Sequence, residues 1–298
     1  MPLISVCIPT FEQPEELRRA LESVCLQTFT DFEVVITDDS MTDSVEQVVV
    51  EFRDRLPIRY FRNRPSLGPA QNWNSGIDRA EGEIIKMLHN DDWFGTPNAL
   101  FMFAKLLSGG AEFGFSAGHR FWYPSQSVVR LVKPSAEELT AIGKKPYRLL
   151  TLNSIGVPSV TVFRRSLAAR FDPNLKWAVD VEFYARAVKE AGGFEYCPEP
   201  LVNFTLGSPH QLTAKYWRDR RLRIYEHIYT YRSAGVRDFR WSVVHFWSLA
   251  GDLKLQLRDL KGFSVPFVMV AVVAGQIILR QLNTIILGIG RKINATRK

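Results

Sequence analysis

Four short clusters in the 298-residue chain have residue types and spacing suited to a charged ligand. Pro9-Thr10-Phe11 ends an apolar run with a hydroxyl and an aromatic ring, and Asp38-Asp39-Ser40, continued by Thr42 and Asp43, ends a second apolar run with paired acids. Asn90-Asp91-Asp92 sets two carboxylates side by side. Such a pair repels itself unless a cation or hydrogen-bond donors compensate, and magnesium or manganese, which take few protein oxygens and complete their shell with phosphate oxygens, suit so short a motif. Asp180 with Glu182 stands near the start of a helical pattern whose opposite face is apolar. Each cluster also has a plainer account: Pro9 as an ordinary strand-to-helix turn, the acids as helix caps, Asn90 to Asp92 as a solvated turn. His210, in Ser208-Pro209-His210-Gln211, is a lone loop histidine for which a solvated or structural role is the simpler account in isolation.

Missing motifs narrow the chemistry. The chain has no GxGxxG after its first strand, no GxxxxGK, no HExxH and no GxSxG, which disfavours the common dinucleotide oxidoreductases, P-loop NTPases, zincins and serine hydrolases. Cys7, Cys25 and Cys197 are odd in number and lack a CxxC spacing, so a reducing compartment is expected. The N-terminus lacks a charged segment followed by a long apolar one, and the folded part is expected to stay in the cytosol.

The elements that must position these clusters alternate. Strand patterns at 3–8, 32–37, 58–61 and 83–88 interleave with helical patterns at 14–27, 43–52 and 70–80. This implies a mostly parallel sheet with helices on both faces, in which ligands sit beyond the carboxyl ends of the strands, where the polar clusters fall. From Gly110 onward the pattern is mixed, with strands expected at 114–121 and 157–163 and a helix at 180–191, stopped by Gly192 and Gly193.

The charge is divided along the chain. Its formal value is +7, but residues 1–214 hold 22 Lys/Arg against 26 Asp/Glu, net −4, and residues 215–298 hold 16 against 5, net +11. The second region mixes Trp217, Tyr225, Tyr229 and Tyr231 with arginines. It then runs through eighteen uncharged residues from Gly262 to Leu279 and, after Arg280, ten more from Gln281 to Gly290. A spanning helix needs about 20 apolar residues, so this stretch is borderline, and Pro266, Gly275 and Gln276 weaken it. It fits a re-entrant or interfacial pair of helices facing anionic head groups, or alternatively a helical subdomain packed on the rest.

In order and together, the motifs resemble those of the family 2 glycosyltransferases. The resemblance rests on Ile4-Ser5-Val6-Cys7-Ile8-Pro9-Thr10-Phe11, Ser23 to Phe29, Phe32 to Ser40, Gly68-Pro69-Ala70-Gln71-Asn72-Trp73, Ala80 to Ile85 and Asn90-Asp91-Asp92, and it covers about residues 3–210. It implies an α/β fold of the GT-A type, Rossmann-like, with a mostly parallel central sheet and helices on both faces. The division expected is a catalytic domain at 1–214 and a basic, aromatic and apolar helical region, membrane-associated, at 215–298. It also implies that Pro9, Thr10 and Phe11 cradle a nucleotide base, with Phe11 stacking where the family usually has tyrosine, and that Asp38 and Asp39 meet the base edge, an acceptor that suits the imide N–H of uracil or thymine. Asn72, Asn90 and Asp91 would contribute to the nucleotide-sugar, Asp92 and His210 to a divalent cation (Mn2+ or Mg2+), and Asp180 would be the general base. Glu12 stands where the family often has Asn, Gln71 where it often has Arg, Asn90 at the first acidic position of its DxD motif, and Val179 before Asp180 where Glu is usual.

The expected activity is inverting transfer of a sugar from a UDP- or dTDP-sugar to a hydroxyl of a saccharide or lipid-linked acceptor, at the cytoplasmic face of a membrane, as in surface polysaccharide assembly. Two rivals remain at this level. One is a non-catalytic nucleotide-sugar-binding or scaffolding protein at the membrane. The other, a nucleic-acid-binding protein, fits less well because the basic residues flank an apolar stretch, whereas phosphate-binding arms are usually polar throughout.

Overall fold

The computed structural model describes residues 1–123, 125, 127–208 and 211–295, without the side chains of 129, 213 and 284–295. The chain divides into two compact units, Met1–Tyr216 and Trp217–Lys298.

The first unit opens with a regular alternation: β1 (Ile4–Thr10), α1 (Pro14–Cys25), β2 (Phe32–Asp38), α2 (Ser44–Phe52), β3 (Ile58–Arg62), α3 (Pro69–Arg79) and β4 (Ile84–Met87). All seven residues of β1 are buried, as expected of a mostly apolar strand covered on both faces of a sheet. Proline opens α1 and α3, where a helix has no use for that N–H. On α1, Leu17, Ala20, Leu21 and Val24 turn inward. Arg18 on the other side pairs with Glu51 of α2.

Beyond β4 come β5 (Trp93–Phe94), α4 (Ala99–Leu107), β6 (Phe113–Trp122), β7 (Ser127–Val132), α5 (Ala136–Lys144), β8 (Thr161–Arg164), α6 (Val179–Glu190), β9 (Glu195–Leu206) and α7 (Leu212–Tyr216). The sheet order is β3-β2-β1-β4-β8-β6-β9-β5, with β7 also on β6. Strands β3, β2, β1 and β4 are mutually parallel, and β6 runs parallel to β9. The β4/β8, β6/β8, β6/β7 and β5/β9 pairs are antiparallel. The sheet is therefore mixed, which corrects the mostly parallel expectation. That expectation rested on the strand-helix-strand alternation up to Met87, and once this alternation stops nothing obliges the next strands to run parallel. The strand expected over 157–163 is also shortened. Pro158–Val160 is a 3-10 turn, and only Thr161–Arg164 joins the sheet.

Register aligns the carboxyl ends of the parallel half: Thr10 lies beside Asp38, and Cys7 beside Met87. Behind them, the Ser5 hydroxyl donates to Glu33 Oε1 at 2.6 Å and accepts from the Gly82 N–H at 2.8 Å. Gly82 has no room for a side chain, since a Cβ would stand 2.7 Å from the Ser5 nitrogen and 2.8 Å from the Ile4 carbonyl carbon.

The second unit contains α8 (Arg220–Ser233), α9 (Phe239–Asp252) and α10 (Phe267–Ala295). Asp219 and Asp238 cap α8 and α9 by accepting from Leu222 N at 2.9 Å and Trp241 N at 3.0 Å. Ile224, Ile228, Phe246, Leu249, Met269 and Val273 build a core of their own. The apolar stretch after Gly262 forms one continuous helix from Phe267, not a pair. Arg280 does not interrupt it, because its guanidinium turns inward to the carbonyls of Ala250 at 3.0 Å and Leu255 at 3.4 Å. The opposite face of α10 is apolar and open: Phe267, Ala271, Ile278 and Leu282 fall on one stripe at helical spacing and are exposed. Among the described residues no helix is long and apolar enough to cross a membrane.

Gly82→Ala forces the Ile4–Ser5 backbone to shift. It should destabilise the chain by about 1–3 kcal/mol in urea unfolding, with the slope unchanged; an unaltered midpoint would show that this contact yields freely.

Candidate functional site

The loops that leave β1, β2 and β4 are tied to one another by side-chain hydrogen bonds. Thr10 is almost fully buried, and its carbonyl accepts from Asp39 N at 3.1 Å and from Asn72 Nδ2 at 3.2 Å. Pro9 is buried within β1, whereas Phe11 is 56% exposed, leaving a ring face free. Glu12 follows at φ 53°, a left-handed conformation that costs a non-glycine residue energy but that Asn tolerates better. Compensation comes from its carboxylate, which accepts from Met41 N at 2.6 Å, Thr42 N at 3.0 Å and Thr42 Oγ1 at 2.6 Å. The loops after β1 and β2 are thereby clamped together.

The two acids after β2 do different work. Asp38 is wholly buried and accepts from Thr10 Oγ1 at 3.1 Å, Ser40 N at 2.8 Å and Tyr60 Oη at 2.7 Å, all internal donors. Burial and that last bond raise the Tyr60 phenol above its usual range. Asp39 accepts from Asn63 Nδ2 at 2.8 Å, Ser66 Oγ at 3.1 Å, Leu67 N at 3.1 Å and Gly68 N at 2.8 Å. It thus anchors the loop into α3. Since a carboxylate offers about four acceptor sites, a base N–H would have to take the place of one donor, the Ser66 hydroxyl being the one free to rotate away. Asn72 is buried between Asn63 and Thr10.

The third cluster lies at the end of β4. Asn90 Nδ2 donates to Gln13 Oε1 at 2.9 Å, joining this loop to the one after β1. Asp92 is 3% exposed; its Oδ2 accepts from Ser159 Oγ at 2.5 Å and its Oδ1 from Thr205 N at 3.3 Å. Asp91 Oδ2 accepts from Gln211 Nε2 at 3.1 Å. The Asp91 carbonyl is held by Arg19 at 2.8 Å and Thr205 Oγ1 at 2.8 Å, with the Arg19 guanidinium 4.0 Å over the Trp93 ring. A cavity of about 120 Å³ opens beside Asp91, lined by Glu16, Arg19, Tyr123, Thr205 and Ser208 among others. Burial lifts both carboxyls above the usual range, and for Asp92 the neighbouring Asp91 charge adds to it.

Three residues without an assigned role in the sequence surround this pair. Lys86, fully buried on β4, donates to the carbonyls of Met87 at 2.7 Å, Thr161 at 3.3 Å and Ser159, and lies 4.3 Å from the Phe103 ring centroid. Burial lowers its ammonium well below the usual range. Ser159 bridges, because its hydroxyl also accepts from His89 N at 2.8 Å. The His89 ring lies 4.5 Å from Trp73, and burial, then the nearby Lys86, pushes its pKa down to about 3. His89, Asp91 and Asp92 each offer one ligand atom, all within 4.8 Å of one another. Two acids and a neutral imidazole with an unshared nitrogen fit a divalent cation. A lysine inside a buried strand was a sequence signal for Lys86; nothing local marked Ser159.

Asp180 lies in the first turn of α6. Its Oδ1 accepts from Val181 N at 2.8 Å and its Oδ2 from Asn153 Nδ2 at 3.1 Å. Burial outweighs these donors and lifts its pKa to about 6. The buried Tyr184 phenol is raised by burial and then by the charges of Asp180 and Asp92. Glu182 is not part of this group, being held in a bidentate pair by Arg186 at 2.6 and 2.7 Å. His210 lies outside the described residues.

A mixed α/β sheet presenting polar loops and an acidic pair at the ends of β1, β2 and β4 has the architecture of the GT-A nucleotide-diphospho-sugar transferases. The family model described as Glycosyl transferase family 2 matches residues 5–169, and the chain belongs to that family. WcaA of Escherichia coli (strain K12), named a putative colanic acid biosynthesis glycosyl transferase, is 32% identical over 197 residues, covering 64% of this chain and 68% of WcaA. A Campylobacter jejuni protein named GalNAc(5)-diNAcBac-PP-undecaprenol beta-1,3-glucosyltransferase is 38% identical over 94 residues, 31% of this chain and only 30% of that protein. Staphylococcus aureus TarS 1-349 in complex with UDP-GlcNAc matches with a TM-score of 0.64 at 19% identity, over 90% of this chain and 77% of that one. Mannosyltransferase PcManGT from Pyrobaculum calidifontis, in complex with GDP-Man and Mn2+, matches at 0.56 and 16% identity, over 93% and 80%. At these identities the two structures share the fold.

The Asp180 shift has a signed consequence. Its folded pKa of about 6 exceeds the unfolded value of about 3.9, so the folded state binds the extra proton between these values and stability falls as pH rises through that window. Asn cannot ionise. The melting temperature of Asp180→Asn should therefore gain on the parent between about pH 4 and 6 and keep that gain at neutral pH. A difference that is flat with pH would mean that burial does not hold this carboxyl up.

Proposed function

We propose that the chain is an inverting glycosyltransferase that moves a sugar from a UDP- or dTDP-sugar to a hydroxyl of a saccharide or lipid-linked acceptor at a membrane surface. The observation that carries this is the acidic group at the end of β4, where ligand atoms of His89, Asp91 and Asp92 lie within 4.8 Å of one another, with the loops after β1 and β2 tied to it and to each other through Asn90 and Glu12. In this reading Asp180 is the base and Asp92 serves the departing diphosphate.

Asp180, with a pKa of about 6, is mostly ionised at neutral pH yet basic enough to accept a proton from a bound hydroxyl. The acceptor oxygen attacks the anomeric carbon from the face opposite the leaving group as the bond to the nucleoside diphosphate breaks. Phe11 offers a ring to the base, and Asp39 accepts its imide N–H in place of the Ser66 hydroxyl. A divalent cation at Asp92, when bound, supplies charge to the departing diphosphate. TarS and PcManGT carry UDP-GlcNAc and GDP-Man in their solved complexes, and the Campylobacter relative is named for an undecaprenol-linked acceptor.

Asp180→Asn should lower turnover by about 10²- to 10⁴-fold while leaving nucleotide-sugar affinity close to that of the parent. Asp92→Ala should instead remove the metal-dependent part of that affinity. Nucleoside-diphosphate release and calorimetry with UDP-, dTDP- and GDP-sugars separate the two. Undiminished turnover in Asp180→Asn removes it as the base, and a preference for GDP-sugars overturns the role of Asp39.

The membrane part draws support from the exposed α10 stripe and the +11 charge of residues 215–298. The chain should co-sediment with vesicles containing phosphatidylglycerol. Ile278→Asn with Leu282→Asn should weaken this without changing the melt, and equal sedimentation would place any attachment elsewhere.

A further inference from the structure

We propose that His89 is a nitrogen ligand of the cation centre, completing a mixed imidazole and carboxylate site that selects manganese or cobalt over magnesium. The proposal rests on the proposed divalent cation at Asp92; it takes Asp91, grouped with it in space, as a second acidic ligand and adds His89 and a selectivity.

The starting observation is an orphaned atom. His89 Nε2 is sheltered from solvent and has no hydrogen-bond partner among the described residues. Buried polar atoms in folded proteins are nearly always paired, and leaving one unpaired costs about 1–3 kcal/mol, so such an atom needs a reason. A cation is a sufficient one. Ligand atoms of His89, Asp91 and Asp92 lie within 4.8 Å of one another. Ligands about 2.1 Å from a shared ion stand up to about 4.2 Å apart, so small side-chain movements close the gap.

The ring is also set in position. Trp73 packs 4.5 Å from it at an interplanar angle of 42° and is itself braced edge-on by Phe171 at 4.9 Å. On the backbone side, His89 N donates to Ser159 Oγ at 2.8 Å, and the same hydroxyl donates to Asp92 Oδ2 at 2.5 Å. One serine therefore ties the His89 backbone to the Asp92 carboxylate, and the Ser159 carbonyl is in turn held by Lys86. This is the support that outer groups give to ligands in metal sites.

Nitrogen changes which ion is preferred. Magnesium is hard, favours oxygen and keeps an octahedral shell, whereas imidazole suits later divalent ions, whose affinity for such sites rises from manganese through cobalt. An all-oxygen site would discriminate less against magnesium. His89→Asp should therefore retain a divalent site and shift its preference towards magnesium. His89→Gln should lose at least about 10-fold in manganese affinity, the loss that disturbing outer groups alone incurs.

The test is pulsed electron paramagnetic resonance of Mn2+ added to the full chain with UDP, alongside titrations of Mn2+, Co2+ and Mg2+. The expected result is nitrogen modulation from a directly bound imidazole in the parent, its loss in His89→Asp that still binds Mn2+, and a Mn2+ to Mg2+ affinity ratio that falls about 10-fold or more in that variant. Thermal melts of both variants verify that they are folded, and uniform 15N-histidine labelling of the parent identifies the modulation without any substitution. Mn2+ bound by the parent without nitrogen modulation overturns the proposal and leaves the acidic site standing. So does modulation that persists in His89→Asp, which would assign the nitrogen to another histidine. No binding of Mn2+ by the parent would overturn the cation centre itself, and this proposal with it.

Discussion

Two adjacent carboxylates, one of them buried, are a costly arrangement, and several polar groups of the first unit are placed against that cost. Asp92 is 3% exposed and shares its loop with Asp91. Removing charges from water is expensive, and placing like charges together compounds it. The answer is a ring of donors drawn from distant sequence: Ser159 from the turn before β8, Thr205 from β9, Gln211 beyond it, and Arg19 from α1 gripping the Asp91 carbonyl. Donors lower the cost without cancelling the charge. What remains is a cost that a stable core would avoid.

The half of the sheet that does not follow the alternating pattern also reaches the acids. Antiparallel β8 runs beside β4 with the Pro158–Val160 turn at its start, so that the Ser159 hydroxyl and carbonyl reach Asp92 and Lys86 directly. Strand β9, parallel to β6, ends at Thr205 and Leu206 and delivers the backbone N–H that Asp92 accepts. Lys86 closes the arrangement from below. Its nitrogen lies within hydrogen-bond reach of three carbonyls, those of Met87, Ser159 and Thr161.

How much of this is visible in the amino-acid order depends on how local each cause is. The run from Ile4 to Ile8, the apolar face of α1 at Leu17, Leu21 and Val24, and the strand ending at Asp38 are decided by neighbours in sequence, and the structure places them within a residue or two of their patterns. The direction of β8 is not, because nothing in Thr161 to Arg164 records which strand it will meet. Pro158 did carry a warning, since proline cannot donate to a ladder and Val157 to Phe163 was too long a strand to begin there. His89 was written beside the acids but, as a single residue, it had no periodicity to betray its role; only the orphaned nitrogen sets it apart. Glu12 is the converse case. Its departure from the family's Asn is legible in sequence, but the left-handed backbone and the three bonds that offset it are not.

The open stripe of α10 has a consequence for the chain in solution. Phe267, Ala271, Ile278 and Leu282 attract copies of themselves, while the +11 charge of residues 215–298 drives those copies apart. The two effects differ in range and in their response to electrolyte. Repulsion reaches about 10 Å at 0.1 M salt and about 3 Å at 1 M, whereas apolar attraction is not screened. In dilute buffer the charge should therefore keep chains separate, and in concentrated salt the stripe should prevail. The mass at which this protein elutes from a sizing column should then depend on the ionic strength as much as on the fold.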